Sequence, residues 1–339
     1  MKVLVVSQPE VQALLPMREC MDVMAQALAS LSSGQAVMPL RSIMWLPEKT
    51  GALGMMPAYL PGGSVSGLTG PGVLGLKVIT VFPGNHGTAF DAHQGAVMLF
   101  DAVHGRPLAI IDATAITAIR TAAVSGVATR LLAREDAGDL AILGSGTQAR
   151  THLDAMLRAR RIRRVRVWSR TSAHAARFAE VEGARHGVAI EIAPSAHEAV
   201  AGADLICTTT ASVEPVVMGE WLSPGAHINA VGSSVPFARE LDTAAVARSR
   251  LYVDRRESTL NEAGDFLFPK KEGAIGDDHI RGEVGEVLLG RVTGRTSPDE
   301  ITLFKSLGLA IEDLAAAHHI HAQAVARGVG AWVTLSGTR

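Results

Sequence analysis

The chain has 339 residues, of which 47% are hydrophobic, so it is long enough and apolar enough to form two ordinary domains with buried cores. Its formal net charge is −1 with acidic and basic residues mixed, which argues against a nucleic-acid-binding or membrane-surface protein. Its two cysteines, Cys20 and Cys207, exclude a disulfide framework, and neither a secretory signal nor an apolar run of membrane-spanning length is visible. We therefore expect a soluble, cytoplasmic protein.

The first 132 residues predict a region of mixed α and β structure. Residues 2–6 are a short apolar run typical of a strand, and residues 8–31 have apolar residues at helical spacing, divided by Pro16 into two helices. Short β-type runs separated by Gly and Pro follow, and residues 113–132 return to helical spacing. The predicted strands of this region cover residues 40–46, 52–59, 74–81, 96–101 and 108–112.

The stretch around which the chain is organised is DLAILGSGTQAR, residues 139–150. A short apolar strand runs into a turn that holds Gly144 and Gly146, and a helix opens at Thr147. This is the strand–turn–helix of a dinucleotide site in its G-x-G-x-x-A form. Gly144 permits the tight turn, Gly146 lets a pyrophosphate approach the backbone, and Ala149 allows the helix to pack closely on the strand. The free N–H groups of the new helix would bind the phosphates.

The rest of the chain alternates strands and helices, which is typical of a doubly wound parallel sheet. Further helices are predicted over residues 277–292 and from Pro298 to about Val325, and we expect the last one to pack on the N-terminal region. The prediction is an α/β protein in which a Rossmann-type domain, residues 119–303, is inserted into an α+β domain made of residues 1–118 and 304–339. The alternation consists of strands at 139–144, 164–169, 188–193, 204–209, 227–231 and 250–254, with helices at 147–160, 172–186, 195–202 and 241–247.

The end of the second strand of this alternation bears on the choice of cofactor. An NAD site usually has an acidic residue there, about 20 residues after the glycines, to bind the ribose hydroxyls. This chain has VWSRT at residues 167–171 and no acid, so Arg170, with Ser169 and Thr171, could hold a 2′-phosphate. We therefore expect NADPH in preference to NADH, with NADH possible. The alternative is that Arg170 only stacks on the adenine.

Three cations stand out in the N-terminal region. Arg41 lies beside a predicted strand, Lys77 lies inside the apolar run 74–81, and Arg120 follows an apolar helical stretch. A charge buried in such a run needs an anionic partner. Each cation alone is interpreted as a snorkelling side chain or a member of a structural ion pair. All three together in a cofactor enzyme favour a carboxylate-binding cluster, in which Lys77 could also donate a proton.

Other candidate sites are weaker. The chain has 12 histidines, but none shows a zinc-ligand spacing, so no metal site is expected, and no G-x-S-x-G nucleophile elbow is present. The histidines between residues 318 and 321 are expected in a solvated or core role. His86 and His93, near the sheet edge, could approach a substrate. The arginine-rich run at residues 158–166 is interpreted as a solvated rim, with an anion-binding patch as the alternative.

Seven short segments resemble the ornithine cyclodeaminase/mu-crystallin family and together span nearly the whole chain. The resemblance implies an NAD(P)-binding Rossmann domain, a dimer built by the substrate-binding domain, and substrates that are amino acids or cyclic imino acids. The segments are MPLR (38–41), GLKVIT (75–80), TAIRTAA (117–123), ILGSGTQAR (142–150), VWSRT (167–171), INAVGSS-x-P-x-x-x-EL (228–241) and LFKSLGLAIEDLAAA (303–317).

Carried over by motif, Arg41, Lys77 and Arg120 match the carboxylate-binding trio of the family, which agrees with the cation argument. The residues expected to bind the cofactor are Thr121, Gly144, Gly146, Thr147, Gln148, Ser169, Arg170, Thr171, Thr208, Thr209, Val231 and Gly232.

Two departures from the family pattern bear on the activity. In the cyclodeaminases, an acid precedes the Met-Pro of the second strand and grips the distal amine of ornithine, but here Gly54 precedes the segment Met55-Met56-Pro57. In the cyclodeaminases and the similar alanine dehydrogenases, an Asp after the VGG/VGA glycine acts in proton transfer, and here Ser234 holds that place. Both losses argue against ornithine cyclodeamination and favour the ketimine-reductase branch.

The resemblance and the residues thus predict an NAD(P)H-dependent reductase of small cyclic imines that carry a carboxylate. Its substrates would be Δ1-pyrroline-2-carboxylate and Δ1-piperideine-2-carboxylate, and its products proline and pipecolate. Arg41, Lys77 and Arg120 would hold the carboxylate, and Lys77 or a water held by Ser234 would supply the proton. The alternatives are an alanine or other amino-acid dehydrogenase, an ornithine cyclodeaminase, and a mu-crystallin-like protein that binds small molecules in an NADPH-dependent way.

Overall fold

The computed structural model describes residues 1–85 and 88–335, which fold into two compact units. The first unit consists of Met1–Arg120 and Leu309–Arg339, and the second of Thr121–Gly308. Their boundaries lie two residues and five residues later in the chain than the predicted domain boundaries after residues 118 and 303. The predicted fold class is confirmed, because one unit contains a parallel Rossmann-type sheet and the other a mixed sheet.

The first unit is built on a seven-stranded sheet with four helices in the same part of the chain. Its strands are β1 (Lys2–Val6), β2 (Ser42–Trp45), β3 (Ala52–Leu60), β4 (Val73–Val81), β5 (His93–Asp101), β6 (Pro107–Asp112) and β15 (Ala331–Thr334). Its helices are α1 (Gln8–Leu14), α2 (Met17–Ser32), α3 (Ala113–Leu132), which continues into the second unit, and α11 (Ala310–Arg327). The strand order is β15-β1-β6-β5-β4-β3-β2, in which β1 pairs with β6 in parallel and the other neighbours are antiparallel.

Helix α11 covers the middle of this sheet, where it packs on β3, β4 and β5, and it also packs on α2. The helix lies close to the sheet at Gly75 in β4. A Cβ atom at Gly75 would lie only 2.5 Å from Leu314 Cδ1, so a larger residue would force the Leu314 side chain to move. The contact fixes the part of α11 that carries Glu312 and Asp313 against β4.

The second unit is an eight-stranded, wholly parallel sheet with helical crossovers. Its strands are β7 (Asp139–Leu143), β8 (Arg164–Trp168), β9 (Ile190–Ile192), β10 (Leu205–Thr208), β11 (His227–Ala230), β12 (Arg250–Val253), β13 (Ile280–Glu283) and β14 (Thr302–Lys305). Its helices are α4 (Thr147–Ala159), α5 (Ser172–His186), α6 (Ala196–Val200), α7 (Thr243–Ala247), α8 (Arg256–Glu262), α9 (Gly264–Lys271) and α10 (Val284–Leu288). The strand order is β13-β12-β14-β11-β10-β7-β8-β9. From β7 the chain adds β8 and β9 on one side and then continues with β10 and β11 on the other side, and doubly wound sheets bind their ligands at such a switch point.

The predicted helix from Pro298 to about Val325 is wrong over its first part. Residues 302–305 form β14, which lies between β11 and β12 in the parallel sheet and is fully buried. The Pro298 segment resembles a helix start, but Glu300 turns back and accepts a hydrogen bond from the backbone N–H of Thr296 at 2.8 Å. The apolar run after it is therefore a core strand, and the helix begins only at Ala310.

Four other elements differ from the sequence prediction. The helix predicted over residues 277–292 contains the edge strand β13 and only a short helix, α10. Strand β13 forms because it pairs in parallel with β12 at the edge of the sheet. Helices α8 and α9 and the final strand β15 were not predicted. Strand β15 pairs with β1 in an antiparallel arrangement and lies at the edge of the sheet.

Helix α3 corrects the expectation that no apolar run reaches membrane-spanning length. Among the described residues it is the one helix that is long and apolar enough to cross a membrane. However, 78% of its most apolar window is buried inside the protein, so the helix belongs to the core of the fold.

The arginine-rich run is not simply a solvated rim. Arg166 is buried, and its guanidinium donates hydrogen bonds to Asp139 Oδ1 at 2.6 Å and to the carbonyl oxygens of Glu198 and Ala201 at 2.8 and 2.7 Å. Arg160 donates to backbone carbonyls near the end of α3. These two arginines therefore join elements within the second unit.

Arg166→Met should lower the free energy of unfolding by about 2 kcal/mol, because Asp139 and two backbone carbonyls lose the hydrogen bonds that the Arg166 guanidinium donates to them. Arg161→Met is the matched control from the same run, since Arg161 is exposed, and it should stay within about 0.5 kcal/mol of the parent. Thermal and urea unfolding followed by circular dichroism measure both. Equal midpoints for the two variants would contradict the structural role of Arg166.

Candidate functional site

The glycine turn after β7 has the geometry of a dinucleotide site. Gly144 has a φ of +112°, and a Cβ atom there would lie 2.7 Å from the carbonyl oxygen of Thr209. Gly146 is the N-cap of α4, no side chain caps that helix, and nothing lies within 4 Å of the position of a Cβ at Gly146. The turn therefore presents an open approach to the amides at the start of a 13-residue helix.

The other predicted cofactor-binding residues follow the carboxyl ends of neighbouring strands. Residues 169–171 follow β8, Thr208 ends β10 with Thr209 after it, and Val231 and Gly232 follow β11. Thr147 and Gln148 open α4, whereas Thr121 is buried in α3. Strands β8, β7, β10 and β11 are neighbours, so their carboxyl ends form one edge of the parallel sheet.

Hydroxyl contacts connect these strand ends. Ser145 Oγ donates to Ser169 Oγ at 3.2 Å, and Thr209 Oγ1 donates to the carbonyl oxygen of Leu143 at 2.9 Å. Arg170 is exposed, and Thr171 is the N-cap of α5. The open turn, the uncapped helix and the hydroxyls fit a dinucleotide, whose pyrophosphate would be held at Gly146 and whose ribose end would lie toward Arg170.

Glu240 connects the loops at this edge, although the sequence analysis assigned it no role beyond membership of a matching motif. It is fully buried and accepts hydrogen bonds from Thr208 Oγ1 at 2.7 Å, from the N–H and hydroxyl of Thr210, both at 2.7 Å, and from the N–H of Gly232 at 2.6 Å. Burial, reinforced by the charge of Asp265, raises the pKa of Glu240. A single carboxylate thus fixes the loops after β10 and β11.

A second buried network supports the same loop. Asp265 accepts the backbone N–H groups of Glu240 and Leu241 at 2.8 and 3.0 Å, and its other oxygen accepts from Lys305 Nζ at 2.9 Å. Lys305 also donates to the carbonyl oxygen of Ser233. The segment that carries Gly232 and Ser233 is therefore fixed from below by an ion pair at the end of β14.

In the first unit, Lys77 lies in β4 and is 3% exposed. Its Nζ donates to Asp313 Oδ1 at 3.1 Å. Burial lowers the pKa of Lys77 to about 8. The charge of Asp313 and its hydrogen bond oppose that effect, whereas Arg120 and Arg41 add to it. The buried amine of Lys77 therefore loses its proton more easily than a solvent-exposed lysine does.

Arg120 lies beside Lys77 and is 4% exposed. Its Nε donates to Asp313 Oδ1 at 3.0 Å and its Nη1 donates to Glu312 Oε2 at 2.6 Å. Burial alone would lower the pKa of Arg120, but the charges of Asp313 and Glu312 outweigh it and raise the pKa. Glu312 and Asp313 were missed in the sequence. Their signal was an acidic pair inside an otherwise apolar helical segment, where buried carboxylates need cationic partners.

Arg41 immediately precedes β2 and is half-buried, and its charge acts on Lys77. The structure therefore brings the three predicted cations into one electrostatic group within the first unit. It assigns Lys77 and Arg120 to the buried part of that group and Arg41 to its more exposed part.

The two departures from the family pattern are also located. Gly54 in β3 pairs with Ile79, and Met56 pairs with Lys77, so Gly54 lies on the same face of the sheet as Lys77. A Cβ atom at Gly54 would make an ordinary contact, 3.4 Å, with Ile79 Cγ2. Ser234, in the second unit, is exposed, whereas its neighbour Ser233 is buried and donates to the carbonyl oxygen of Ala238.

The histidines among the described residues form no cluster of metal ligands. His86 lies outside the described residues, and His93 begins β5. His318 and His321 line a cavity of about 260 Å³ at the start of β4, and burial, with the nearby His321 and His319, lowers the pKa of His318 to about 4. Across residues 1–85 and 88–335, no group of three or more His, Cys, Asp or Glu side chains is placed to hold a metal ion.

Comparison with known proteins identifies the family of the chain. The model of the ornithine cyclodeaminase/mu-crystallin family matches residues 1–328. The chain belongs to this family. It is 41% identical over 299 residues to the ketimine reductase mu-crystallin of Mus musculus, which covers 87% of this chain and 88% of the mouse protein.

Two solved structures of family members are similar over almost the whole chain. The Δ1-pyrroline-2-carboxylate reductase of Thermococcus litoralis, in complex with NADH and L-proline, has a TM-score of 0.92 and 39% identity, covering 97% of this chain and 99% of that one. An archaeal alanine dehydrogenase dimer with bound NAD has a TM-score of 0.91 and 32% identity, covering 99% and 100%. Both similarities extend over the two units of this chain.

Alanine substitutions at the two glycines of the turn should separate folding from cofactor binding. Gly144→Ala should destabilise the protein even without cofactor, because alanine disfavours the positive φ and its Cβ would clash with Thr209. Gly146→Ala should change the stability of the cofactor-free protein by less than about 1 kcal/mol, since the space is open, but should raise the Kd for NAD(P)H at least about tenfold. Thermal unfolding and fluorescence titration measure the two effects. Unchanged NAD(P)H affinity in Gly146→Ala would contradict the assignment of the phosphate site.

Proposed function

We propose that this protein reduces cyclic imino acids with NAD(P)H, converting Δ1-pyrroline-2-carboxylate and Δ1-piperideine-2-carboxylate to proline and pipecolate. The observation that carries the proposal is the buried cationic pair of Lys77 and Arg120, in a chain that lacks an acid at both Gly54 and Ser234. The mouse ketimine reductase and the Thermococcus reductase with bound NADH and proline support it.

The proposed task of Arg41, Lys77 and Arg120 is to hold the carboxylate of the substrate. Arg120 offers a planar guanidinium whose Nε and Nη1 are already oriented by Asp313 and Glu312. An anion that binds beside the half-buried Arg41 would reach the cluster from its more exposed side. Holding the carboxylate fixes the position of the adjacent C2 carbon, and positioning of this kind is the main contribution of the protein to catalysis.

The reaction adds a hydride to C2 and a proton to the ring nitrogen, so that the C=N double bond becomes a CH–NH bond. When bound, the reduced nicotinamide supplies the hydride. Lys77 is the proposed proton donor, because its pKa of about 8 lets it carry a proton at neutral pH and still release it. The exposed hydroxyl of Ser234 is the proposed anchor for a water that could deliver the proton instead. A cyclic imine needs no acid to grip a distal amine, which is consistent with Gly54.

The finer cofactor preference that we propose is NADPH. The strand end after β8 offers the exposed guanidinium of Arg170 and the hydroxyls of Ser169 and Thr171, and it has no carboxylate to repel a 2′-phosphate. NADH remains usable under this proposal, and the Thermococcus reductase was solved with NADH.

We also infer a homodimer formed through the first unit. Strand β2 is an edge strand, and all four of its residues are exposed, including Ile43, Met44 and Trp45. An open apolar edge of this kind favours association with another chain over exposure to water. The archaeal alanine dehydrogenase of the same fold is a dimer.

A substrate panel tests the proposed function. The purified protein should oxidise NADPH with Δ1-pyrroline-2-carboxylate or Δ1-piperideine-2-carboxylate, and should show little turnover of ornithine or of pyruvate with ammonia. Lys77→Ala should lower kcat/KM for the imine at least about 1000-fold, because both a carboxylate ligand and the proton donor are lost. Its Kd for NADPH should stay within a few-fold, since Lys77 belongs to the first unit.

Each of the other outcomes would indicate a different function for this protein. High ornithine turnover would indicate a cyclodeaminase, and ammonia-dependent reduction of pyruvate would indicate an amino-acid dehydrogenase. Tight NADPH binding with no imine turnover would indicate a binding protein. Full imine turnover in Lys77→Ala would leave the reductase function in place but overturn the site assignment.

Arg170→Asp tests the NADPH preference. It should raise the KM for NADPH at least about tenfold and leave the KM for NADH within a few-fold. The 2′-phosphate would lose a charge-assisted partner and meet a like charge, whereas NADH has no such phosphate. Arg177→Asp, one helical turn into α5, is a control for a general change of charge. If the ratio of the two KM values stayed at its parent value, the phosphate would have to be held elsewhere.

A further inference from the structure

One oxygen atom in the first unit accepts hydrogen bonds from two cationic side chains. Asp313 Oδ1 accepts from Lys77 Nζ at 3.1 Å and from Arg120 Nε at 3.0 Å. All three side chains are at least nine-tenths buried, and Asp313 is fully buried. The two cations come from β4 and α3, and the carboxylate comes from α11, so a single atom ties three elements together.

The arrangement is not the one that stability alone would favour. The second oxygen of Asp313, Oδ2, is buried and has no hydrogen-bond partner among the described residues. A buried carboxylate gains most when both oxygens are bonded, and an unsatisfied buried polar atom costs about 1–3 kcal/mol. Leaving one oxygen unbonded and placing both cations on the other therefore points to a role for the geometry itself.

We propose that Asp313 is the positioning residue of the substrate site: its Oδ1 sets the places of Lys77 Nζ and Arg120, and its charge keeps Lys77 protonated for the reaction. This inference rests on the reductase function proposed above. Asp313 acts through the two cations and touches no reacting atom. Glu312 has a separate part, since its carboxylate orients Nη1 of Arg120.

The charges around Lys77 make its protonation depend on Asp313. Burial and the positive charges of Arg120 and Arg41 all lower the pKa of Lys77, and Asp313 is the acidic group that raises it. On α2, Cys20 lies near Arg120 and Glu312, and burial raises the pKa of its thiol so far that it stays neutral. Removing the charge of Asp313 would therefore leave Lys77 to lose its proton at a lower pH.

The experiment compares the parent protein with Asp313→Asn and Glu312→Gln, using lysine labelled with ¹³C at Cε. The Lys77 resonance, assigned by its loss in Lys77→Arg, reports the titration of its amine without substrate or cofactor. We expect the midpoint to fall by about one pH unit or more in Asp313→Asn and to stay close to the parent value in Glu312→Gln. The alkaline limb of kcat/KM for the imine should move down by the same amount in Asp313→Asn only. The imine also titrates, but it does so equally in the assays of all three proteins, so a difference between their pH profiles comes from the protein.

Asp313→Glu provides a second variant that retains the charge. It should keep the Lys77 midpoint within a few tenths of a pH unit, but it should lower kcat/KM at least about tenfold, mainly through KM, because the carboxylate and both cations are displaced. An unchanged Lys77 midpoint in Asp313→Asn, or full activity in Asp313→Glu, would overturn the proposal. Loss of the proposed function would be recognised separately, as absence of imine turnover in the parent protein, and the Lys77 titration would still decide the role of Asp313.

Discussion

The organisation of the first unit depends on the need to neutralise charges that are buried. Lys77 and Arg120 have almost no contact with solvent, and a buried cation without a partner would cost several kcal/mol or lose its charge. Helix α11 supplies the two carboxylates, so it must lie close over β4, and Gly75 makes that approach possible. The last helix of the chain thus packs on the sheet, and the two sequence segments of the first unit form one structure.

In the second unit, the loops after β10 and β11 are held in place while the space beside Gly146 stays open, as the proposed dinucleotide site requires. The proposed cofactor site includes the backbone at Gly144, Gly146 and Gly232, and glycines restrain the conformation of a loop less than other residues do. Glu240 and the ion pair of Asp265 with Lys305 supply the missing rigidity from beneath the sheet edge. Buried acids therefore stabilise both units. In the first unit their partners are the cations Lys77 and Arg120, whereas the partners of Glu240 in the second unit are backbone N–H and hydroxyl groups.

Features encoded over a short stretch could be predicted from the sequence, because neighbouring residues determine them. The turn after β7, the helix 113–132 and the division at Pro16 all follow from local spacing, and the structure has them. Strand β14 could not be predicted in this way, because its burial between β11 and β12 depends on residues more than 50 positions earlier. The cations could be singled out as charges in apolar runs. Their partners were missed because Glu312 and Asp313 lie about 190 residues or more from Arg120 and Lys77 in the chain.

The most direct test of the account is to follow the hydride. Reduction of Δ1-pyrroline-2-carboxylate with NADPH that carries two deuterium atoms at C4 of the nicotinamide should give proline with one deuterium at C2. One NADPH should be consumed for each proline formed. The account holds that the carboxylate is fixed and that C2 is the carbon presented for reduction, so the label should appear at that carbon and at one face of it. Proline without deuterium at C2, or turnover of ornithine with no net consumption of NADPH, would contradict it.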